Sequence, residues 1–528
     1  MNGTILDNLA SQIVDKLPDN VQGQLSKVTT MRAVQVGLGF VVLGQIYRWW
    51  ENRMPVPRYG GIVSFSSLLS TIRMSKRGPS VLSEYYSRYP MAMIPAGSQW
   101  QLVVRSEFID EVNRAPDDVL SFISATEESI QAGHTLGSQI VENHYHHNVI
   151  RNYMTRQLHS IFPEVYDEVK YTFENDATLN SDEWRELHVF PWILKVVAKA
   201  SNRVFVDTPL CRDPQWLSVV IEDATSVVKT ATFINLFPTP LRGLVGWLIS
   251  GKKARLRRAS ALAKDVIEVH LSRAGKDLEM PDFLDWLISI APQEELNVED
   301  ITRRIVAVNF AAIHTSSLSL THALYWITAR PEYVEPMREE IETVTKEMGW
   351  SKNAIGHMPR VESFMKECMR VVPLGANTMA RRVMKPFRFS NGVSPPIGTV
   401  ISTHVYAMHM NESIYPNAHT FDGFRFVKPD SDTEGKAKET MYSTSVNYMP
   451  FSHGRHACPG RFFASMELKL MFAYLVLHYD FTWPTEVTQK LKPGEKYRPK
   501  DIWFGNTFIP DPKAKILVRK RQTRSSLE

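Results

Sequence analysis

Residues 451–460 set narrow terms for how this chain can fold. They run Phe451, Ser452, His453, Gly454, Arg455, His456, Ala457, Cys458, Pro459, Gly460, and lead straight into RFFASMELKLMFAYLVLHY at 461–479. A stretch apolar nearly all round its helical wheel belongs to a buried helix. Cys458 therefore stands just before a helix inside the protein. N–H groups at a helix start favour thiolate over thiol. Gly454 and Gly460 permit close backbone approach that a side chain would forbid. A thiolate so placed can ligate a metal or act as a nucleophile, and the alternative is an inert structural cysteine.

The rest of the chain reads as mainly α with small β-sheets. The longest helical pattern is 301–328, ended by Arg330-Pro331, and strand-like, turn-bounded pieces cluster at 383–403 around Ser390-Asn391-Gly392 and Pro395-Pro396. Residues 430–441 read as a polar surface loop. Cys211, Cys368 and Cys458 lie far apart with no CxxC spacing, which argues against a disulfide scaffold and for a reducing compartment around the main body. A net charge of +5, spread along the chain without basic and aromatic residues interleaved, gives no case for a nucleic-acid partner.

The cysteine segment resembles the haem-binding signature of the cytochrome P450 family: Phe451, Gly454, Cys458 and Gly460 match. His456 stands where most members carry arginine, a variation similar to fungal members, as is ACPGRFFA at 457–464. Three further motifs follow the family's order. Glu367 and Arg370, three apart on one helix face, resemble the ExxR pair, with Arg425 in FDGFRF (421–426) as the third member of a structural triad. Asp422-Gly423 replaces the prolines and acid often found there. AAIHTS at 311–316 resembles the oxygen-activation motif. Thr315 then aligns with the alcohol that orders water for proton delivery, and His314 takes the place of the acid. His147 and Arg151 match a helix whose side chains bond the haem propionates, and Arg382 aligns with another propionate-binding arginine, with Arg381 beside it as the alternative register. His144-Tyr145-His146-His147 also invites a zinc reading, but neither HExxH nor a carboxylate ligand follows.

The resemblance implies one catalytic domain at 60–528 holding haem b, its iron ligated by the Cys458 thiolate, with Phe451 and His456 against the cofactor. It implies a monooxygenase that inserts one atom of O2 into a lipophilic substrate held near Phe310, Ala311, Trp503, Phe504 and Thr507. Similarity to fungal secondary-metabolism members implies a terpenoid or steroid-like substrate. Without a GxGxxG after a strand, electrons must come from a partner, by resemblance an NADPH-cytochrome P450 reductase. Two rivals stand beside this reading: a haem-thiolate isomerase, which would have no use for Thr315, and a non-catalytic membrane protein binding haem or sterol.

The N-terminal region reads as a membrane anchor. Residues 33–50, apolar and closed by Trp49-Trp50, suit a single span, although the core at 33–47 is short against the roughly 20 residues a span needs. Residues 1–32 then form a lumenal extension with a sequon at Asn2, 51–59 a proline-containing connector, and the catalytic domain faces the cytosol from the endoplasmic reticulum. A second apolar stretch, 232–250, is followed by Lys252, Lys253, Arg255, Arg257 and Arg258. It reads equally as a membrane-dipping lip with a basic flank or as a core helix running into a solvated one.

Overall fold

The computed structural model describes residues 54–60, 66–77, 79–427, 439–492, 494–504 and 507–522, together with 39, 43 and 44. The expectations for 1–32 and for nearly all of 33–53, Asn2 included, fall outside the described residues, as does most of 430–441. Among the described residues no helix is long and apolar enough to cross a membrane.

The helices of nine or more residues, in chain order, are α1 Ser67–Arg77, α2 Ser80–Arg88, α3 Phe122–Ile130, α4 Leu158–Glu174, α5 Val189–Phe205 and α6 Pro214–Asn235. They continue with α7 Thr239–Ile249, α8 Lys252–Ser272, α9 Val298–Ala329, α10 Val334–Met348, α11 Pro359–Val371 and α12 Arg461–His478. Local chemistry starts the main ones. Asp213 accepts the Gln215 and Trp216 N–H groups ahead of Pro214 at the head of α6. Asn297 accepts the Asp300 N–H, and Glu299 and Asp300 place negative charge on the positive end of α9.

α9 is the axis of the molecule. It packs against α5, α6, α8, α11 and α12, and its flanks, from Ile301 to Asn309 and from Ser316 to Ala329, are mostly buried. α12 is buried along nearly its whole length, as its all-round apolar sequence requires.

Sheet residues gather to one side. β1 (Met91–Ala96), β2 (Gln99–Val104), β3 (Leu120–Ser121), β5 (Thr378–Val383) and β6 (Val400–Thr403) form a sheet in the order β1-β2-β6-β5-β3, over a second core that includes Leu102, Val383 and Ile401. β4 (Arg185–His188), β7 (Tyr479–Thr482) and β10 (Lys515–Lys520) form another, and β8 (Ile502–Phe504) pairs with β9 (Thr507–Ile509). The strands expected at 383–403 thus occupy 378–383 and 400–403. Between them Gly392 and Gly398 adopt left-handed φ of 88° and Pro395-Pro396 lacks ladder donors, so that stretch turns rather than pairs.

Candidate active site

The cysteine loop is a tight turn feeding α12. Cys458 N–H donates to the Phe451 carbonyl at 2.9 Å and Ala457 N–H to that of Gly454 at 3.0 Å. Gly454 has φ 75°, and a Cβ there would lie 2.6 Å from the Asn113 side chain. The fold therefore requires glycine at this corner. Burial pushes the Cys458 thiol up, while the Gly460 and Arg461 N–H groups and the Arg461 charge pull it back. Unlike buried Cys211 and Cys368, Cys458 keeps intermediate exposure. A sulfur deep in the fold that still has open surface borders internal space, and its two N–H donors prepare it for an anionic, metal-ligating state.

Beside this loop lies a cluster of cations with too few carboxylates. Arg381 points inward from β5, fully buried, and its Nε and Nη2 have no hydrogen-bond partner among the described residues. Its guanidinium sits 5.4 Å from the Phe122 ring centre, and that ring stacks on His456 at 5.0 Å. His456 Nε2 bonds Asp117 Oδ1 at 2.7 Å, and Arg455 Nη2 reaches the same oxygen at 3.0 Å. Arg151 donates to the Arg455 carbonyl at 3.3 Å. Burial, aided by His144 and Arg151, lowers His147 to about 4, so it is neutral at pH 7 and able to donate one N–H. Asp117 alone cannot satisfy this set. Orphaned donors on a buried arginine call for a carboxylate, and the two propionates of haem supply that chemistry.

The structure also settles the strand register. β5 alternates with Met379, Arg381 and Val383 buried, whereas Arg382 faces the other way and binds Glu128 Oε2 at 2.6 Å. The inward-facing arginine with orphaned donors is thus Arg381, the alternative register, and not Arg382, because a one-residue shift in a strand reverses the face. Phe451 is buried in the main core and braces the loop through its carbonyl.

α9 presents a narrow open strip at its midpoint. Ala311 and Thr315 are exposed and Leu318 partly so, one face at spacings of four and three. An open strip in the middle of a helix flanked by five others faces interior space, and α9 packs on α12, the helix entered by Cys458. Thr315 Oγ1 donates to the Ala311 carbonyl at 2.7 Å. His314 is turned to another neighbour: its Nε2 lies 3.3 Å from Thr225 Oγ1 on α6, and burial lowers its pKa. It ties two helices together. Phe310 packs with Leu136, Ile140, Val227 and Ala307.

Glu367, Arg370 and Arg425 meet behind the loop. Arg370 grips Glu367 through Nε at 2.7 Å and Nη2 at 2.8 Å, both residues fully buried, and Arg425 Nε lies 3.1 Å from each Glu367 oxygen. Arg425 also donates to the carbonyls of Pro416 and Thr420. Asp422-Gly423 has a local reason. Asp422 Oδ1 accepts the Phe424 N–H, and a Cβ at Gly423 would stand 2.7 Å from Phe364 and 3.0 Å from Tyr333.

A cavity of ≈ 410 Å³ opens between the sheet and α6. Thr378, Ala380, Gln101 and Thr507 line it, with Glu128 and Arg242 at its wall. Phe504 pairs in register with Thr507, while Trp503 packs on Phe508 at 4.9 Å within the sheet core. The Glu128 node was not legible in the sequence. It takes Arg382, Arg242 (2.9 Å) and Gln99 from three distant segments, and no motif marks it.

Comparison with known proteins agrees with this geometry. The family model for cytochrome P450 matches residues 57–501. Cytochrome P450 monooxygenase 71 of Postia placenta is 36% identical over 497 residues, covering 92% of this chain and 97% of the relative. Ent-kaurene oxidase of Gibberella intermedia is 30% identical over 478 residues, 89% of each. Among solved structures, retinoic acid bound cyanobacterial CYP120A1 superposes with a TM-score of 0.65 at 16% identity, covering 89% of this chain and all of that one, a likeness of fold.

Proposed function

The chain belongs to the cytochrome P450 family and is a haem-thiolate monooxygenase, and from that premise we propose that it oxidises a terpenoid or steroid-like molecule at a membrane surface. When bound, haem would supply the oxidising chemistry, in which O2, two electrons and two protons yield one oxygen atom for the substrate and one molecule of water. The protein's part is positional. Cys458 would hold the iron, with the Gly460 and Arg461 N–H groups stabilising sulfur charge. Arg381, His147, Arg151 and His456 would hold the propionate edge. Thr315 holds a hydroxyl at the open strip of α9, where it can order water and pass protons. His314, engaged with α6, positions that helix over the strip. Electrons come from an NADPH-cytochrome P450 reductase.

The observation that carries the substrate reading is the mixed wall of the ≈ 410 Å³ cavity, lined by Met74, Leu82 and Leu236 together with Gln99, Gln101 and Thr378. Such a wall suits a rigid apolar skeleton bearing one or two oxygen functions. A relative named for oxidising ent-kaurene, itself a terpenoid, supports the same class. Membrane placement is supported by an apolar patch at the end of α6 and on α7: Phe233, Leu241, Leu244, Trp247 and Leu248 are each more than two-fifths exposed, as are Leu69 and Ile72 of α1. Together with the reading of 33–50 as an anchor, this patch supports a location on the endoplasmic reticulum with the active site toward the cytosol. The test is turnover with reductase and NADPH over matched panels of terpenoids, steroids, fatty acids and polyketide-derived aromatics. Terpenoids or steroids should give NADPH-dependent products with one added oxygen. Turnover confined to fatty acids or aromatics would refute the substrate class.

A further inference from the structure

A second cavity, of ≈ 360 Å³, lies where the apolar α7 hands over to α8. Lys252, Lys253, Arg255, Arg257 and Arg303 line it, against two carboxylates, Asp223 and Glu299. The excess along the lining is three positive charges, and Asp300, which pairs with Arg303 from just outside it, brings this to two. Four of those cations sit in the first two turns of a 21-residue helix with no acid in its first turn. That is the reverse of what the helix dipole favours, since free N–H groups there already present partial positive charge. Lys253 and Arg257 are exposed and form no ion pair among the described residues, and Lys252 reaches the Gly133 carbonyl. Burial, Arg303 and Lys253 lower the Lys252 ammonium.

A buried pair at the cavity wall adds an independent sign. Asp223, 5% exposed, binds Arg255 Nε at 2.7 Å through Oδ1, yet its Oδ2 has no partner, nor has Arg255 Nη2. One orphaned acceptor beside one orphaned donor fits a group that both gives and takes hydrogen bonds. Resting on the membrane reading of α7, we infer that this cavity seats the headgroup of an anionic phospholipid, phosphate against the cations and a headgroup hydroxyl against Asp223. The exposed apolar face of α7 then lies along the acyl chains, and the cavity sits at headgroup depth. Because Thr135, Leu136 and Gly137 also line the cavity, a seated headgroup fastens that loop to α8.

The test is backbone hydrogen exchange of the full haem-loaded chain in nanodiscs of phosphatidylcholine, with or without phosphatidylinositol. The first amides of α8 lack intrahelical acceptors and exchange fast unless an anion takes their hydrogens. Phosphatidylinositol should slow amides 252–254 at least threefold, and the double variant Lys253→Glu/Arg257→Glu, whose haem content reports folding, should abolish that slowing. Equal exchange in both nanodiscs overturns the inference. Protection by soluble glycerophosphoinositol in detergent, with none from the lipid, makes the ligand a soluble phosphate ester and overturns the lipid assignment. If neither bilayer slows 239–249, the membrane reading of α7 fails separately.

Discussion

At the scale of single residues, the site separates neighbours that look interchangeable in sequence. Arg381 and Arg382 are adjacent, but one has orphaned donors in the interior and the other is bound to Glu128. Burial lowers Arg381 only to about 10, so it stays cationic at neutral pH and gains from a carboxylate. Arg381→Ala should weaken haem retention by about 1.5–3 kcal/mol, the worth of a charged hydrogen bond, read as haem loss to apomyoglobin. Arg382→Ala should retain haem and instead lower thermal stability by loosening α3. Equal haem loss in both would refute the assignment. Cys458→Ser should abolish the strongly red-shifted Soret band of the reduced carbon-monoxide complex while leaving the helical content unchanged. Sequence reading found the cysteine because glycines, an aromatic and a helix start converge on it. It named both arginines but gave the role to Arg382, because motif alignment does not carry the two-residue period that decides which face a strand residue takes.

At the scale of elements, α9 combines a stable helix with one open strip. Thr315 Oγ1 bonds back to Ala311, so its removal leaves the ladder intact and improves helix propensity by about 0.5 kcal/mol. Thr315→Ala should therefore melt no lower than the parent while product formed per NADPH falls roughly a hundredfold, peroxide rising in its place, at the low end of general acid–base effects. Unchanged coupling would remove Thr315 from proton delivery. His314→Ala should act otherwise, relaxing the contact with Thr225 and raising KM more than it lowers kcat. The loop of Arg425 offers a packing test: Gly423→Ala drives a methyl against Phe364 and Tyr333 and should cost about 1–3 kcal/mol of stability. Helix existence was legible from hydrophobic period at α9 and α12, whose observed bounds differ from 301–328 and 461–479 by no more than a few residues. The strands near 383–403 were displaced because the same apolar residues fit turns once two glycines take left-handed φ.

At the scale of the whole molecule, buried titratable groups set a stability profile that no motif announces. Burial holds His404 and His409 to about 3 and His478 to about 4. Each has a folded pKa below its unfolded one, so each contributes stability that is full above about pH 6.5 and declines as pH falls. Glu467 is the opposite case. It is fully buried on α12, bonded to Ser201 Oγ at 2.8 Å, and burial raises it to about 8. Its folded pKa exceeds its unfolded one, so its contribution is full below about pH 4.5 and is lost as pH rises toward 8. Glu340, raised by burial to about 7 despite accepting the Arg360 and Val361 N–H groups, adds to the same slope. Each group tilts the curve by up to about 1.4 kcal/mol per pH unit. Between pH 4.5 and 6.5 these three histidines, joined by His147, outweigh the two carboxyls and stability climbs. Above pH 6.5 the histidines no longer contribute a slope and the carboxyls pull stability down. The melting temperature should therefore peak near pH 6.5. Glu467→Gln keeps an acceptor for Ser201 without an ionisation, so it should flatten the fall between pH 6.5 and 8 and, by removing an opposing slope, steepen the climb between pH 4.5 and 6.5. An alkaline limb as steep in the variant as in the parent would show that Glu467 is already ionised in the folded protein, and that its second oxygen, unpartnered here, finds a donor.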